Sequence, residues 1–261
     1  MDSPERSAEA DDPIIRVENL TCAFGDRVIV EDISFEVRTG EVFAILGGSG
    51  SGKSTVLKHM IGLYRPAAGR VLIDGDEIST AEGDDRLRVL RKIGVTYQSG
   101  ALFGSMTLLE NVRLAMEEFT DLPSDAMDLV SRMKLRLVGL AEFADSMPAE
   151  VSGGMQKRAA IARAMALDPR ILFLDEPSAG LDPITSAELD QLVLRLSGTL
   201  GITFVVVTHE LPSIFAIADR VVLLDPSTRG IAAEGRPEEV RDRSEDAWVR
   251  RFFQREVEST S

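Results

Sequence analysis

The sequence predicts an α/β fold on a mainly parallel sheet, with antiparallel strands at its N-terminal end and a helical insertion before the last strands. Three observations carry this expectation. From "ILFLDE" (171–176) onward, strand-length apolar runs alternate with helical patterns, the order that produces parallel strands joined by helices. "EVFAILG" (41–47) runs directly into the glycine-rich "GGSGSGKST" (47–55), and a helical pattern follows. Residues 105–167 are mainly helical in pattern, so they interrupt the sheet.

Each element follows in order. "MDSPERSAEADDP" (1–13) is acidic and lacks an apolar run, which predicts a disordered tail and argues against a signal peptide. "IIRVENLTCAF" and "RVIVEDISFEV" read as strands on either side of a turn at Gly25-Asp26. "VLKHMIGL" continues the helix after the glycine-rich loop, and "GRVLIDGDEI" reads as a strand, a tight turn at Asp74-Gly75 and a short strand. Residues 84–91 look helical and lead into the strand "KIGVTYQ".

In the insertion, Leu108, Val112, Ala115, Met116 and Phe119 recur at spacings of three and four. Met127, Val130, Met133 and Leu137 do the same. The strand "ILFLDE", a helix from about 184 to 197, the strand "TFVVVTH", a helix from about 212 and the strand "RVVLLD" complete the alternation. The expected organisation is one domain over 14–240, with a core of about 14–98 and 168–240 and a helical subdomain of about 99–167. A helical extension covers 241–261. Its Trp248, Phe252 and Phe253 read either as a helix packing on its own domain or as a docking site for a partner.

Composition narrows the function classes. The chain has 261 residues, 44% of them hydrophobic, enough for a proper core. Its 29 basic and 43 acidic residues leave a net charge of −14, which repels nucleic-acid phosphate and anionic lipid headgroups. No nucleic-acid partner is expected, and membrane contact is expected only through a protein partner. Cys22 is the single cysteine, which rules out an intrachain disulfide and suits a reducing, cytoplasmic compartment. With two histidines and one cysteine, a His/Cys zinc site is not expected.

Two motifs carry chemistry on their own. The loop Gly47, Gly48, Ser49, Gly50, Ser51, Gly52, Lys53, Ser54 fits G-x-x-x-x-G-K-[ST] between a strand and a helix. Such glycines let backbone N–H groups curl toward a phosphate, and the helix start adds partial positive charge. Lys53 is expected to reach the β- and γ-phosphates, Ser54 to offer its hydroxyl to Mg²⁺, and Thr55 to hold the α-phosphate region. The second motif is the acidic end of "ILFLDEP". Asp175 and Glu176 close a buried strand at the sheet edge where ligands of such folds bind. Asp175 is expected to hold Mg²⁺ through its water shell, and Glu176 to orient and deprotonate an attacking water. Taken alone, the first motif is also a flexible turn and the second a solvated acidic turn. Together they point to Mg²⁺-dependent nucleotide hydrolysis.

The order of motifs resembles the nucleotide-binding subunit of an ATP-binding-cassette transporter over about 14–235. Gln98 in "VTYQSG" matches that family's glutamine loop, and "VSGGMQKR" resembles its signature, usually LSGGQ. "SAGLD" (178–182) matches the loop after the acidic strand, and His209 in "VVVTHE" matches the switch histidine. Phe24 takes the place of the aromatic that stacks on adenine. The resemblance implies a P-loop, RecA-like core and two copies paired head to tail. Each ATP would lie between one copy's phosphate loop and Ser152, Gly153 and Gly154 of the other.

It also implies that Gln98 touches Mg²⁺ or the attacking water and that His209 holds Glu176 and meets the γ-phosphate. Asp182 would form contacts across the dimer. The signature departs from the usual pattern at Val151 and Met155. Met155 lacks the hydrogen-bonding groups of glutamine, and Gln156 is turned roughly 100° away on a helix.

A finer resemblance lies in "QSGALF", "SGGM" and "GLDPIT", which look like the ATPase of Mla-type lipid transport systems that work with MCE-domain proteins. It implies integral-membrane permease subunits, an MCE-domain lipid-binding partner and a peripheral place on the cytoplasmic side of the inner membrane. An importer ATPase for amino acids or another solute stays open. A soluble ATPase of the same fold acting on nucleic acid or ribosomes is disfavoured by the single cassette, the absence of a heptad run and the negative charge.

Overall fold

The computed structural model describes residues 13–254. Residues 1–12 of the expected tail and 255–261 of the expected extension lie outside the described residues. The first strand begins at Pro13, the last residue of that expected tail.

The long strands β1 (Pro13–Phe24) and β2 (Arg27–Arg38) form a hairpin that begins a four-stranded antiparallel sheet. Its order is β2-β1-β4-β5, with β4 at Ala68–Ile73 and β5 at Asp76–Glu77. Alternation along β2 sets Val30, Ile33, Phe35 and Val37 inward and charged or polar residues between them outward.

The second sheet has six strands in the order β10-β9-β3-β8-β7-β6. They are β3 (Val42–Gly47), β6 (Ile93–Thr96), β7 (Ile171–Asp175), β8 (Thr203–Val207), β9 (Arg220–Asp225) and β10 (Gly230–Gly235). All pair in parallel except β10, which runs antiparallel to β9. Sequence reasoning did not find β10. "GIAAEG" is short, glycine-flanked and half-exposed at the sheet edge, so it lacks strand alternation.

Both faces of the parallel sheet are covered, so its central strands are apolar throughout. On β8, Val205 and Val207 pack toward the antiparallel sheet and α1 (Lys53–Met60). Phe204 and Val206 pack toward the helical side. That side carries α3 (Leu108–Phe119), α4 (Ser124–Leu137), α5 (Gly153–Ala164) and α6 (Pro183–Leu200). A short α2 (Gly83–Leu90) leads into β6. The remaining helices are α7 (Leu211–Ile217), α8 (Pro237–Arg243) and α9 (Ala247–Gln254). In a third cluster Val249 and Phe253 are buried, with the Phe253 ring 5.8 Å from that of Phe215.

Two helices show where pattern and packing part. In α3 the expected face is inward at Leu108, Val112 and Met116, and Thr107 with Glu110 forms a reciprocal N-terminal capping box. In α4, Met127 faces in, but Met133 is 58% and Leu137 42% exposed. The buried row is instead Met127, Ser131, Lys134 and Leu135. Lys134 lays its apolar stem inward and carries its ammonium to Asp168, a placement that hydrophobic spacing does not reveal.

Candidate functional site

The carboxyl ends of β3, β7 and β8 meet at a cleft of about 810 Å³. After β3 the chain turns through the glycine-rich loop into α1. Gly52 has a φ of 95°, and a Cβ there would stand 2.5 Å from Val30 Cγ2, so the turn needs glycine both for backbone angle and for space. Helix α1 has no side-chain cap at Gly52 and no acidic residue in its first turn. Its leading N–H groups are thus left to an anionic ligand. Lys53 is buried, and its Nζ donates to the carbonyls of Gly47 at 2.8 Å and Gly48 at 3.1 Å. Burial pulls its pKa below the usual lysine value, against the opposing pull of Glu176 and Asp175.

Ser54 follows on α1 and donates its hydroxyl to Asp175 Oδ1 at 3.2 Å. Burial pushes the Asp175 carboxyl above its ordinary pKa. The Ser54 hydrogen bond opposes this shift, and the neighbouring Glu176 charge adds to it. Ser54 hydroxyl and Asp175 carboxylate form an all-oxygen donor pair, which suits a hard cation such as Mg²⁺.

Glu176 sits in the left-handed region with φ 47°, which costs a non-glycine residue roughly 1–2 kcal/mol. Its N–H donates to the Val207 carbonyl at 2.8 Å, tying it to the end of β8. The side chain is gripped at both oxygens. His209 Nδ1 lies 2.8 Å from Oε1, and Thr208 Oγ1 donates to Oε2 at 3.1 Å. A carboxylate only accepts, so Nδ1 carries the proton and Nε2 of a neutral ring is left as an acceptor.

Of the residues expected from sequence, Gly48, Ser49, Gly50, Gly52, Lys53, Ser54, Thr55, Gln98, Glu176 and His209 line this cleft, together with Arg27, Ile29, Leu211 and Phe252. Gly47 and Asp175 bond to Lys53 and Ser54 from behind it, and Ser51 is buried in the loop. Phe24 stands apart. It is 49% exposed, and its ring meets Tyr64 edge-on at 5.4 Å.

The signature segment is also outside the residues that line the cleft. Ser152 caps α5, accepting from the Met155 N–H at 3.3 Å, and is exposed. Gln156 is committed inside the chain, donating to the carbonyls of Pro148 at 2.9 Å and Val151 at 3.4 Å. Asp182 caps α6, accepting from the N–H groups of Ile184 and Thr185.

Sequence reasoning missed four residues here. Thr208 holds Glu176, although it stood inside the quoted "VVVTHE". Lys157 donates to the Gln98 carbonyl. Arg163 donates to those of Ala101 and Gly100 at 2.5 and 3.0 Å, so α5 pins the glutamine loop. Asn111 is fully buried and bonds to Phe103 N–H and carbonyl, fixing the start of α3. Thr208 had a local signal, a hydroxyl beside the switch histidine. Asn111 bonds within eight residues of itself, but an asparagine among apolar helix positions carries no mark of that role. Lys157 and Arg163 act across 59 and 62 residues, which leaves no mark in a sequence window.

Residues 30–179 match the model of the family described as "ABC transporter". The chain belongs to that family. It is therefore an ATP-binding, ATP-hydrolysing cassette with a P-loop, RecA-like core. The chain is 39% identical over 243 residues to the intermembrane phospholipid transport system ATP-binding protein MlaF of Haemophilus influenzae, covering 93% of this chain and 91% of that protein. It is 38% identical over 240 residues to MlaF of Escherichia coli, covering 92% and 88%. The probable ribonucleotide transport ATP-binding protein mkl of Mycobacterium leprae is 39% identical over 239 residues, covering 92% and 68%.

Among solved structures, cbiO1 from Clostridium perfringens, part of the ABC transporter complex cbiONQ, superposes with a TM-score of 0.81 at 30% identity. It covers 88% of this chain and 91% of cbiO1. The dimeric, post-hydrolysis ATP-binding cassette MJ0796, bound to ADP and Pi, gives 0.76 at 31% identity, covering 85% and 98%. Among the described residues, no helix is long and apolar enough to cross a membrane.

Proposed function

We propose that this cassette hydrolyses ATP to drive phospholipid movement across the cell envelope. It would work as a head-to-tail pair on the cytoplasmic face of the inner membrane, bound to integral-membrane permease subunits, with an MCE-domain lipid-binding protein completing the system. The hydrolytic half rests on one observation, the two-ended hold on Glu176 by His209 and Thr208 at the mouth of the cleft. Phospholipid is favoured over ribonucleotide because the MlaF proteins match over about nine-tenths of their own length, and mkl over 68%.

The residues divide the work. The free N-terminus of α1 and the N–H groups of Gly48–Gly52 receive the phosphates, with Thr55 at the α-phosphate. Lys53 exchanges the Gly47 and Gly48 carbonyls for β- and γ-phosphate oxygens. Ser54, Asp175 and Gln98 would hold Mg²⁺, which neutralises phosphate charge when bound. Glu176 accepts a proton from the water that attacks the γ-phosphorus. The bond from that phosphorus to the β–γ bridging oxygen breaks, leaving ADP and inorganic phosphate. His209 keeps Glu176 aimed through Nδ1. Phe24 offers its exposed ring to adenine.

Ser152, Gly153 and Gly154 are not among the residues that line their own cleft and would serve the γ-phosphate in the second copy, with Asp182 at the dimer contact. The cargo reading is tested by purifying the cassette with its membrane partners and reconstituting them in vesicles. ATP-dependent transfer of a fluorescent phospholipid is the expected result. Ribonucleotide uptake without lipid transfer would contradict the reading.

A further inference from the structure

Asp182 and Gly154 belong to different elements, and one side chain joins them. Thr185, in the first turn of α6, donates its hydroxyl to Asp182 Oδ2 at 2.6 Å and its N–H to Asp182 Oδ1 at 3.1 Å. Its Cγ2 methyl lies over the start of α5, where a Cβ on Gly154 would stand 2.3 Å away. Both arms of the branched side chain are therefore committed, the hydroxyl to the Asp182 turn and the methyl to the signature glycine. A β-branched side chain is stiff at χ1, so each contact fixes the other.

The two signature glycines differ in the same light. Gly154 is buried against Thr185. Gly153 is exposed, and a Cβ there would meet nothing nearer than Leu181 Cδ2 at 3.9 Å.

We propose that Thr185 is a positioning residue that locks the Asp182 turn to the start of α5, so that the two segments offered to a second copy are presented as one rigid surface. Gly154 then serves packing within the chain as well as lending its backbone to the opposite nucleotide, and Gly153 and Ser152 are the exposed groups beside it. This rests on the head-to-tail reading above. Thr185 is not among the residues that line its own phosphate cleft, so its loss should act on pairing and leave the chain's own ATP binding alone.

Two substitutions separate its arms. Thr185→Val keeps the methyl and removes the hydroxyl; Thr185→Ser does the reverse. Each is placed in a Glu176→Gln chain, and dimer formation is followed by sedimentation across an ATP titration. Affinity of the chain for a fluorescent ATP analogue and thermal melting are measured alongside. Thr185→Ser is expected to raise the ATP concentration for half-dimerisation on the order of 3–10-fold, the effect of losing one packed methyl, and Thr185→Val on the order of 10–100-fold, the effect of losing one hydrogen bond to a carboxylate. Analogue affinity is expected to stay unchanged. Dimerisation of both variants at the parent's ATP concentration would overturn the role of Thr185. A Glu176→Gln parent that stays monomeric at saturating ATP would overturn the head-to-tail reading, and this proposal with it.

Discussion

Two glycine-rich turns in this chain lead into helices, and they differ in what awaits at the helix start. Helix α1 begins at Gly52 without a side-chain cap, beside a buried lysine and within a cleft that holds Glu176 and His209. Helix α5 begins at Ser152, which caps it, and Ser152 and Gly153 are exposed away from that cleft. The first turn is equipped to hold an anion with its own chain's catalytic groups. The second has an ordered helix start and no chemistry beside it. A helix N-terminus attracts phosphate in both cases, but only the first has the means to cleave it. On the proposed reading, the second turn is useful only when another chain supplies the nucleotide.

Substitutions test each side of this contrast. Glu176→Gln has the largest expected effect. Removing the base while keeping its shape should lower kcat roughly 10²–10⁴-fold, with ATP still bound; phosphate release and nucleotide binding measured together check this. Ser152→Arg comes next, at the opposite turn. Filling the phosphate approach should lower hydrolysis on the order of 10²–10³-fold. The lost helix cap costs about 1 kcal/mol, too little to unfold the chain, and a melting curve beside the rate assay separates the two effects. Lys53→Ala should weaken ATP binding about 10–100-fold, the range for losing a charged hydrogen-bond donor. Unchanged affinity would remove the first turn from nucleotide binding.

The smallest effect concerns stability and runs opposite to function. Asp175 has its folded pKa raised by burial and by the Glu176 charge. A carboxyl with a raised folded pKa favours the fold in its protonated form, and that contribution is lost as pH rises through the folded value. Above that raised value, ionised Asp175 is a buried charge carried for the site. There Asp175→Asn should raise the melting temperature of the nucleotide-free protein, by about 2–4 °C for each kcal/mol relieved. The gain should shrink as pH falls from the raised value toward the ordinary carboxylate pKa of 3.8. Melting curves of both chains across that pH range check the sign.

The parts of this molecule that were legible in sequence share a property: their signal is local. The strand "VFAILG" feeding a glycine-rich loop, the charge pair ending "ILFLDE", and the alternation from β7 to β9 each declare themselves within a short window, and the structure carries all of them. Where the signal is not local, reading failed or stopped short. Edge strand β10 has no buried face to write an alternating pattern. The apolar spacing of α4 pointed to Met133 and Leu137, because a buried lysine with an ion-pair partner looks like a surface residue in sequence. Lys157 and Arg163 reach the glutamine loop from α5, and nothing near either residue announces it. The signature glycines were read as room for another chain's ATP. Packing shows that Gly154 also makes room for Thr185 of its own chain.

On the proposed reading, the Ser152 turn acts only in a second copy. The direct measurement is sedimentation of Glu176→Gln and of Glu176→Gln/Ser152→Arg, each with and without ATP. ATP is expected to convert the first from monomer to dimer and to leave the second monomeric, although both bind ATP equally well. An ATP-dependent dimer that forms as readily with Arg at position 152 would contradict it.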